Sequence, residues 1–273
     1  MWKTINLKFI KRIIKIYIDF KRDLNMNKNF SIIHIEAVVN KNAFIDEFVV
    51  IGKGVTIEKD VYISKGVKIY GKTIIKSGTF IDENCIIGHF QRDQLKAVIA
   101  GKKSFTEFEG PEVFIDKNCI IRAGSIIYSD VHIGANCQTG HNVLIREKTK
   151  IGDCSLIGTN CIIDGNVSIG INANIQTGVY IPLFCTINNN VFMGPYSKLT
   201  NDKYMLRKDF ELIGPTIEDN VSLGANSVIF PGINLKEGTI VGAGAIVTKD
   251  TNVGDVIVGN PAKFLKKKPL DWK

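Results

Sequence analysis

The sequence of 273 residues contains no apolar run that approaches the ~18 residues needed to cross a bilayer, which excludes an integral membrane protein. It also lacks a secretory signal, because Lys11, Arg12 and Lys15 interrupt the apolar stretch near its start. Little net positive charge lies outside residues 1–28, because these residues supply +6 of the net charge of +8 and leave +2 for the rest. A nucleic-acid-binding face would need basic residues spread over the fold, so no nucleic-acid partner is predicted.

The sequence does contain a repeat of six residues. An aliphatic residue recurs at every sixth position through residues 33–87, 115–199 and 217–253, which together make 32 hexapeptides. Thr139 is the one polar residue in this column, and Val253 is its last member. A small or β-branched residue usually stands two positions earlier, so both side chains face one interior, as in a short strand.

The third position after each aliphatic residue indicates a sharp corner. Of the 32 such positions, 19 hold Gly or Asn, the residues that best tolerate a left-handed backbone. Each hexapeptide is therefore predicted to form a short strand and a corner, and three successive hexapeptides to form one triangular coil. The predicted all-β fold has about ten coils and occupies residues 30–262, followed by a C-terminal tail over 263–273.

Three segments leave the repeat. Residues 88–112 and 200–214 are predicted to be loop insertions, which in repeat folds are usually functional. Residues 1–29 carry apolar residues at helical spacing and lysines on the other face, which predicts an amphipathic helix. That helix could dock on the protein itself, on a neighbouring subunit or, less favoured, on a membrane surface through residues 1–28.

Metal and disulfide patterns are also absent, because the six cysteines form no CxxC pair. Cys154 falls at a corner, whereas the other five occupy the small inward position, so we interpret them as core residues of a reduced, cytoplasmic protein. Only His132 and His141 lie close together in the repeat, and no third histidine is spaced to complete a zinc site. No metal is predicted.

His141 is the first candidate for chemistry. It lies in the sequence Thr139-Gly140-His141-Asn142, beside the polar break in the aliphatic column. A polar residue in an apolar column indicates that a site has displaced packing. His141 could be a general base or an orienting residue, although a solvated histidine on a sheet remains the simpler alternative.

The sequence resembles the hexapeptide-repeat acyltransferases, and within them the enzymes that acylate nucleotide-linked amino sugars, most closely dTDP-3-amino-3,6-dideoxyhexoses. The stretches that carry the resemblance lie between residues 30 and 265: Ile121-Arg122-Ala123-Gly124-Ser125, Thr139 to Glu147, Thr200-Asn201-Asp202-Lys203-Tyr204 and Val258-Gly259-Asn260-Pro261-Ala262-Lys263. The resemblance implies a left-handed parallel β-helix that assembles as a homotrimer with sites between subunits. It also implies acetyl transfer from acetyl-coenzyme A to a sugar amine, for surface polysaccharide or glycan biosynthesis.

Site residues follow from the resemblance position by position. The implied catalytic residues are His141, Asn84 and Asp93, of which Asn84 and Asp93 would also hold the sugar. Glu107, Arg122 and Asn142 are further substrate candidates, with Arg122 placed to contact pyrophosphate. The implied contacts to coenzyme A, including cations for its phosphates, are Asn201, Ala225, Ala243, Lys249 and Lys263.

Two alternatives stay open at the level of sequence. An O-acetyltransferase acting on a sugar or serine hydroxyl would use the same histidine but would not depend on a nucleotide. A nonenzymatic scaffold or sensor, docked on a membrane through residues 1–28, would show no thioester turnover.

Overall fold

The computed structural model describes residues 24–26, 30–101 and 104–269, which form a left-handed parallel β-helix with a triangular cross-section. Three sheets make up its sides, two of them with 12 strands and the third with ten. The predicted fold class is therefore confirmed. None of the helices in the described ranges has the length and apolar character needed to span a bilayer.

The strands of each sheet succeed one another along the axis. Sheet 1 contains β1 (Leu24–Met26), β2 (Ile32–His34), β5 (Val50–Ile51), β8 (Lys68–Ile69), β11 (Ile86–His89), β14 (Ile126–Tyr128), β17 (Leu144–Ile145), β20 (Ile162–Ile163), β23 (Tyr180–Ile181), β26 (Lys198–Leu199), β29 (Val228–Ile229) and β32 (Ile246–Val247). Sheet 2 contains β3 (Val38–Val39), β6 (Thr56–Ile57), β9 (Thr73–Ile75), β12 (Val113–Ile115), β15 (Val131–Ile133), β18 (Thr149–Ile151), β21 (Ser168–Ile169), β24 (Thr186–Ile187), β27 (Thr216–Ile217) and β30 (Asn234–Leu235). Sheet 3 contains β4 (Phe44–Ile45), β7 (Tyr62–Ile63), β10 (Phe80–Ile81), β13 (Ile120–Ile121), β16 (Gln138–Thr139), β19 (Leu156–Ile157), β22 (Asn174–Ile175), β25 (Phe192–Met193), β28 (Ser222–Leu223), β31 (Ile240–Val241), β33 (Asp255–Val258) and β34 (Lys263–Lys267).

Register explains why the repeat produces this fold. Ile126 pairs with Leu144, and Leu144 pairs with Ile162, so neighbouring strands of a sheet are three hexapeptides apart in sequence. The inward aliphatic residues consequently stack in columns, and Ile127, Ile145 and most of their equivalents are fully buried in one core. Each buried isoleucine stabilises the fold by about 1.5–3 kcal/mol of apolar transfer.

The corner positions have the backbone that the sequence predicted. Asn84 and Asn142 have φ of 57° and 54°. Bulkier residues at the same position, such as Phe184 and Tyr196, adopt the same conformation with φ of 70° and 59°. The hydrogen-bonded strands on both sides of each corner therefore impose the left-handed backbone even where the corner residue disfavours it.

The insertion over 88–112 is more ordered than a plain loop. It contains helix α1 (Arg92–Gly101) and a 3-10 helix (Phe105–Glu107). Their apolar side chains pack on the outer face of sheet 1, in a cluster formed by Tyr70, Phe90, Val98 and Phe108. The second insertion, 200–214, has no regular secondary structure.

Both ends of the β-helix differ from the prediction. Val253 was expected to face the interior but is 61% exposed, and Ile257 of β33 fills the last level of the core instead. The tail beyond residue 262 begins with β34, which pairs antiparallel with β33. Residues 24–26, which were assigned to the N-terminal helix, form β1 and pair antiparallel with β2, and the rest of that predicted helix lies outside the described residues. The two antiparallel strands explain why two sheets reach 12 strands rather than about ten.

Gly88 and Gly244 provide a matched test of the packing between turns, because both have positive φ, 76° and 69°. A Cβ atom on Gly88 would lie 2.2 Å from the backbone oxygen of Tyr70, whereas one on Gly244 would meet nothing within 4 Å. Gly244→Ala should cost ~1 kcal/mol from its backbone conformation alone, and Gly88→Ala should cost a further ~1–3 kcal/mol. Thermal unfolding of the two variants measures the difference, and equal melting temperatures would contradict the close approach.

The cysteines should differ sharply in reactivity. Burial is the largest cause that raises the pKa of Cys85 and of Cys185 to about 12, and that of Cys161 to about 11. Cys154 is the only one of the six cysteines that is exposed. A thiol reagent at pH 8 should therefore titrate one thiol per native chain and six in denaturant. A second fast-reacting thiol in the native protein would contradict the core assignment.

Candidate active site

Six of the residues selected from the sequence lie on one edge of the triangle. We call this edge the 3–1 corner; it comprises the segments that lead from a strand of sheet 3 to the next strand of sheet 1. The fold therefore gathers residues that are far apart in sequence onto one ridge parallel to the axis. In order along the axis they are Asn84, Arg122, His141, Asn142, Ala225 and Ala243.

Arg122 and His141 occupy adjacent turns and touch through their side chains. Arg122 Nη1 lies 3.4 Å from His141 Nε2, and the contact is exposed. A guanidinium group carries donors only, so in this contact Arg122 is the donor and His141 Nε2 the acceptor. The corner thus holds an imidazole with a cation beside it.

The polar break in the aliphatic column, Thr139, changes the backbone hydrogen bonding at this corner. One turn earlier, the Asp82 N–H donates to the carbonyl oxygen of Ile121 at 2.8 Å. At the next turn the Arg122 N–H donates instead to Thr139 Oγ1, at 2.9 Å. The threonine hydroxyl thereby replaces a ladder hydrogen bond directly beneath the Arg122–His141 contact.

Asn84 and Asn142 form corners in the same column. A Cβ atom placed on Gly66 or Gly124 would lie 2.6 Å or 2.3 Å from the Oδ1 atom of Asn84 or Asn142, respectively. Both amides therefore lie over the glycine of the preceding turn. Asn142 is adjacent to His141, whereas Asn84 is two turns away, about 10 Å at the ordinary spacing of strands.

A row of small residues continues the 3–1 corner away from His141. At successive turns, the position of His141 is taken by Thr159, Thr177, Pro195, Ala225 and Ala243. Apart from proline, the backbone N–H groups in this row donate to no acceptor among the described residues. The row is therefore a bare strip of backbone with hydrogen-bond donors.

The structure places the remaining donor-site candidates at the C-terminal end of the β-helix. Asn201 lies at the start of the second insertion, where its Nδ2 donates to the Leu183 oxygen at 3.2 Å. Lys249 and Lys263 are exposed, the first after β32 and the second in β34. Their proposed contacts to coenzyme A stay predictions.

Asp93 and Glu107 lie in the first insertion, outside the 3–1 corner. Asp93 is 93% exposed in the first turn of α1 and accepts a hydrogen bond from Lys96 Nζ at 3.2 Å. Glu107 Oε1 lies 3.0 Å from Nε2 of the buried His34. His34 Nδ1 accepts the Glu36 N–H at 3.1 Å, so Nε2 carries the proton and donates to Glu107. Glu107 therefore anchors the insertion to the first turn, and its role toward a substrate stays a prediction.

Two cavities flank α1. The larger, of about 790 Å³, lies beside Lys53, Glu107 and Glu109. Lys53 Nζ is 2.7 Å from Glu109 Oε1, and this hydrogen bond is the largest cause that raises the pKa of Lys53. The smaller cavity, of about 340 Å³, lies on sheet 1 among aromatic rings.

A second polar cluster was not singled out from the sequence. Arg146 pairs with Glu147 (2.9 Å) and Asp164 (3.5 Å), and its guanidinium lies over the ring of Tyr128. Burial acts to lower the pKa of Arg146, but the contacts with Glu147 and Asp164 outweigh it and raise that pKa. Tyr128, Arg146 and Asp164 follow one another at intervals of one coil, so a search for polar residues at the coil period would have found them.

In the described part of the chain, no group of three His, Cys, Asp or Glu side chains is placed to hold a metal ion.

Two protein families match segments of the chain. The family "Hexapeptide repeat of succinyl-transferase" matches residues 148–182 and 216–249, and "Bacterial transferase hexapeptide (six repeats)" matches residues 112–147. Among curated proteins, the 2,3,4,5-tetrahydropyridine-2,6-dicarboxylate N-acetyltransferases of Staphylococcus aureus strains bovine RF122 / ET3-1 and JH9 are 53% identical over 51 residues. These residues are 19% of this chain, and the chain spans about a fifth (21%) of the length of those relatives.

Solved structures with similar folds have low sequence identity. A hexapeptide-repeat acetyltransferase from Vibrio cholerae, complexed with acetyl-coenzyme A, is 25% identical in sequence with a TM-score of 0.38. The matched region covers 44% of this chain and 70% of the acetyltransferase chain. A UDP-N-acetylglucosamine acyltransferase from Bacteroides fragilis is 18% identical with a TM-score of 0.37, covering 89% and 74%.

Thr139 and Thr149 form a matched pair for testing the hydrogen bond beneath the Arg122–His141 contact. Both side chains are buried, but Thr149 Oγ1 has no hydrogen-bond partner among the described residues. Thr139→Val should lower stability by ~1–3 kcal/mol because it leaves the Arg122 N–H without its acceptor, whereas Thr149→Val should be neutral or stabilising. Thermal unfolding measures both, and equal effects would show that the Thr139 hydroxyl has no structural role.

Proposed function

The chain is a hexapeptide-repeat protein whose repeats match those of bacterial transferases, and on this premise we propose that it is an acyl-coenzyme A-dependent N-acyltransferase. The proposed reaction moves the acetyl group of acetyl-coenzyme A to the amino group of a nucleotide-linked amino sugar, best matched by a dTDP-3-amino-3,6-dideoxyhexose. The observation that carries the proposal is that His141 shares one corner with a bare strip of backbone long enough for an extended donor.

The strip suits the pantetheine arm of coenzyme A. Ala225 and Ala243 add only methyl groups, and a Cβ atom on Gly194 or Gly224 would lie 2.7 Å or 2.4 Å from their backbone nitrogens. Within the described ranges these backbone N–H groups have no acceptor, so they can donate to the amide oxygens of the arm. Lys249 and Lys263, further along, would meet the phosphates.

In the proposed chemistry the neutral sugar amine attacks the thioester carbonyl carbon and forms a C–N bond and a tetrahedral oxyanion. The oxyanion collapses, the C–S bond breaks, and the coenzyme A thiolate leaves. The amine proton passes to His141 or to the departing thiolate, giving the amide and free thiol. The N–H of Thr159, one turn from His141, has no acceptor in the part of the chain that the structure describes, and it would donate to the oxyanion.

Arg122, which touches His141, would pair with the diphosphate, and Asn84 and Asn142 would contact the sugar. Asp93 and Glu107 lie in the first insertion, from which they would contact the acceptor. We propose a homotrimer, supported by the apolar outer face of sheet 1, where Ile126, Leu144 and Ile162 point outward.

An amine acceptor is favoured over a hydroxyl because the matched curated relatives are N-acetyltransferases. That match extends over only 51 residues, so it supports the type of bond formed and not the acceptor itself.

Replacement of His141 tests its role in the reaction. His141→Asn should reduce turnover ~100-fold or more if the imidazole moves a proton. His132→Asn is the matched control, because His132 is also exposed but lies on sheet 2, where it packs on Phe114. Thiol release from acetyl-coenzyme A, measured with dTDP-3-amino-, dTDP-4-amino- and UDP-linked amino sugars, reports both turnover and the acceptor.

A loss of less than threefold in His141→Asn would remove the residue from the chemistry. Silence of the wild-type protein with all three sugars, with acetyl-coenzyme A still bound, would point to a hydroxyl acceptor or a longer acyl donor. Failure to bind coenzyme A at all would overturn the proposed function.

A further inference from the structure

The smaller cavity has a distinct chemical character. It measures about 340 Å³ and is lined by the rings of Tyr70, His89, Phe90 and Phe105 together with Lys68. Tyr70 and Phe90 are buried and pack at 5.4 Å between ring centroids, whereas Phe105 is 45% exposed. The cavity therefore has a fixed aromatic base and one accessible ring at its side.

The rings hold one another in place. Phe105 lies 4.9 Å from Phe90 and 6.3 Å from Tyr70, and Phe90 packs edge-on against Phe108 at 4.3 Å. These contacts tie the 3-10 helix and the start of the first insertion to sheet 1. The accessible face of Phe105 is thus presented by a packed cluster, which keeps the entropy cost of binding a flat ligand low.

The lining selects for a flat aromatic group with an attached anion. Aromatic side chains stack on the planar ring of any nucleobase, and the ammonium group of Lys68 attracts phosphate. The larger cavity beside α1 lacks this combination, because Glu107 and Glu109 make its wall acidic and Lys53 is already paired with Glu109. A nucleoside diphosphate is consequently favoured in the smaller cavity.

The cavity also lies only a few turns along the axis from Arg122 and His141. Lys68 belongs to β8 and His89 to β11, while Arg122 lies between β13 and β14 and His141 lies between β16 and β17. Strands β8, β11, β14 and β17 are consecutive neighbours in sheet 1. The distance from the cavity to His141 is therefore about 14 Å along the axis, with Arg122 in between.

We propose that this aromatic cavity is the subsite for the pyrimidine base of the acceptor, so that the diphosphate passes Lys68 and Arg122 and the sugar reaches His141. The inference rests on the proposed function, because it assumes a nucleotide-linked substrate. It assigns the first insertion a direct role in substrate selection, through Phe105.

Binding of dTDP and UDP to the full chain, measured by titration calorimetry without acetyl-coenzyme A, tests the subsite separately from catalysis. Phe105→Ala should raise the Kd for these nucleotides about tenfold or more, the usual effect of losing a base-stacking ring. Phe105→Tyr, which keeps the ring, should bind as the wild type does. Phe44→Ala is the matched control, because Phe44 is 49% exposed and packs on Tyr62 but lies on the outer face of sheet 3 in the first turns.

Unchanged nucleotide affinity in Phe105→Ala would overturn the subsite, as would a wild-type protein that binds neither nucleotide. Because Phe105 also packs in the insertion, Phe105→Leu is the second variant: it keeps apolar contact but loses the ring, and must also weaken binding. Lys68→Gln should weaken binding of dTDP more than that of thymidine, and equal effects would contradict the phosphate contact.

The two proposals fail in different ways. Acetyl transfer to a nucleotide sugar with unchanged dTDP affinity in Phe105→Ala would support the proposed function and overturn this subsite. Nucleotide binding that depends on Phe105, without any acetyl transfer, would support the subsite and overturn the proposed function.

Discussion

The structure depends on the stacking of one inward aliphatic residue per hexapeptide above its equivalent in the next coil. Burial of Ile127, Ile145 and Ile163 in one column fixes the register of three strands at once, because a shift by one residue would turn every side chain to the other face. The left-handed corners, the sheets and the alignment of outward residues all follow from this register. Any two residues separated by one coil period become neighbours, whatever their chemistry.

That constraint makes a corner of the triangle a convenient place for chemistry. Core packing determines the inward positions, but the outward corner positions are free to vary from turn to turn. Arg122 and His141 are brought into contact because they lie near one coil period apart on the same corner. Where Thr139 replaces an aliphatic residue, the ladder itself changes and the Arg122 N–H finds a hydroxyl acceptor. The site thus alters the repeat that supports it.

The sequence predicted the repeating part of this fold well, because each hexapeptide contains its own strand and corner signals. The candidate residues His141, Asn142, Ala225 and Ala243 were selected by resemblance, and the repeat explains why the structure places them on one corner. The ends and insertions could not be predicted in this way. Val253 keeps the period but is exposed, because β33 and β34 close the core as an antiparallel pair.

The structure of the first insertion, at the candidate site, could not be predicted from the repeat either. No period relates Phe105 or Glu107 to sheet 1, so the aromatic cluster and the contact with His34 depend on tertiary packing alone.

We propose that donor and acceptor meet at the 3–1 corner beside His141. A crystal structure of the protein with coenzyme A tests it most directly. We expect the pantetheine arm along the strip from Ala243 and Ala225 toward Thr177, with the sulfur atom near His141. Coenzyme A bound on another edge of the triangle, with its sulfur remote from His141, would contradict this placement of the site.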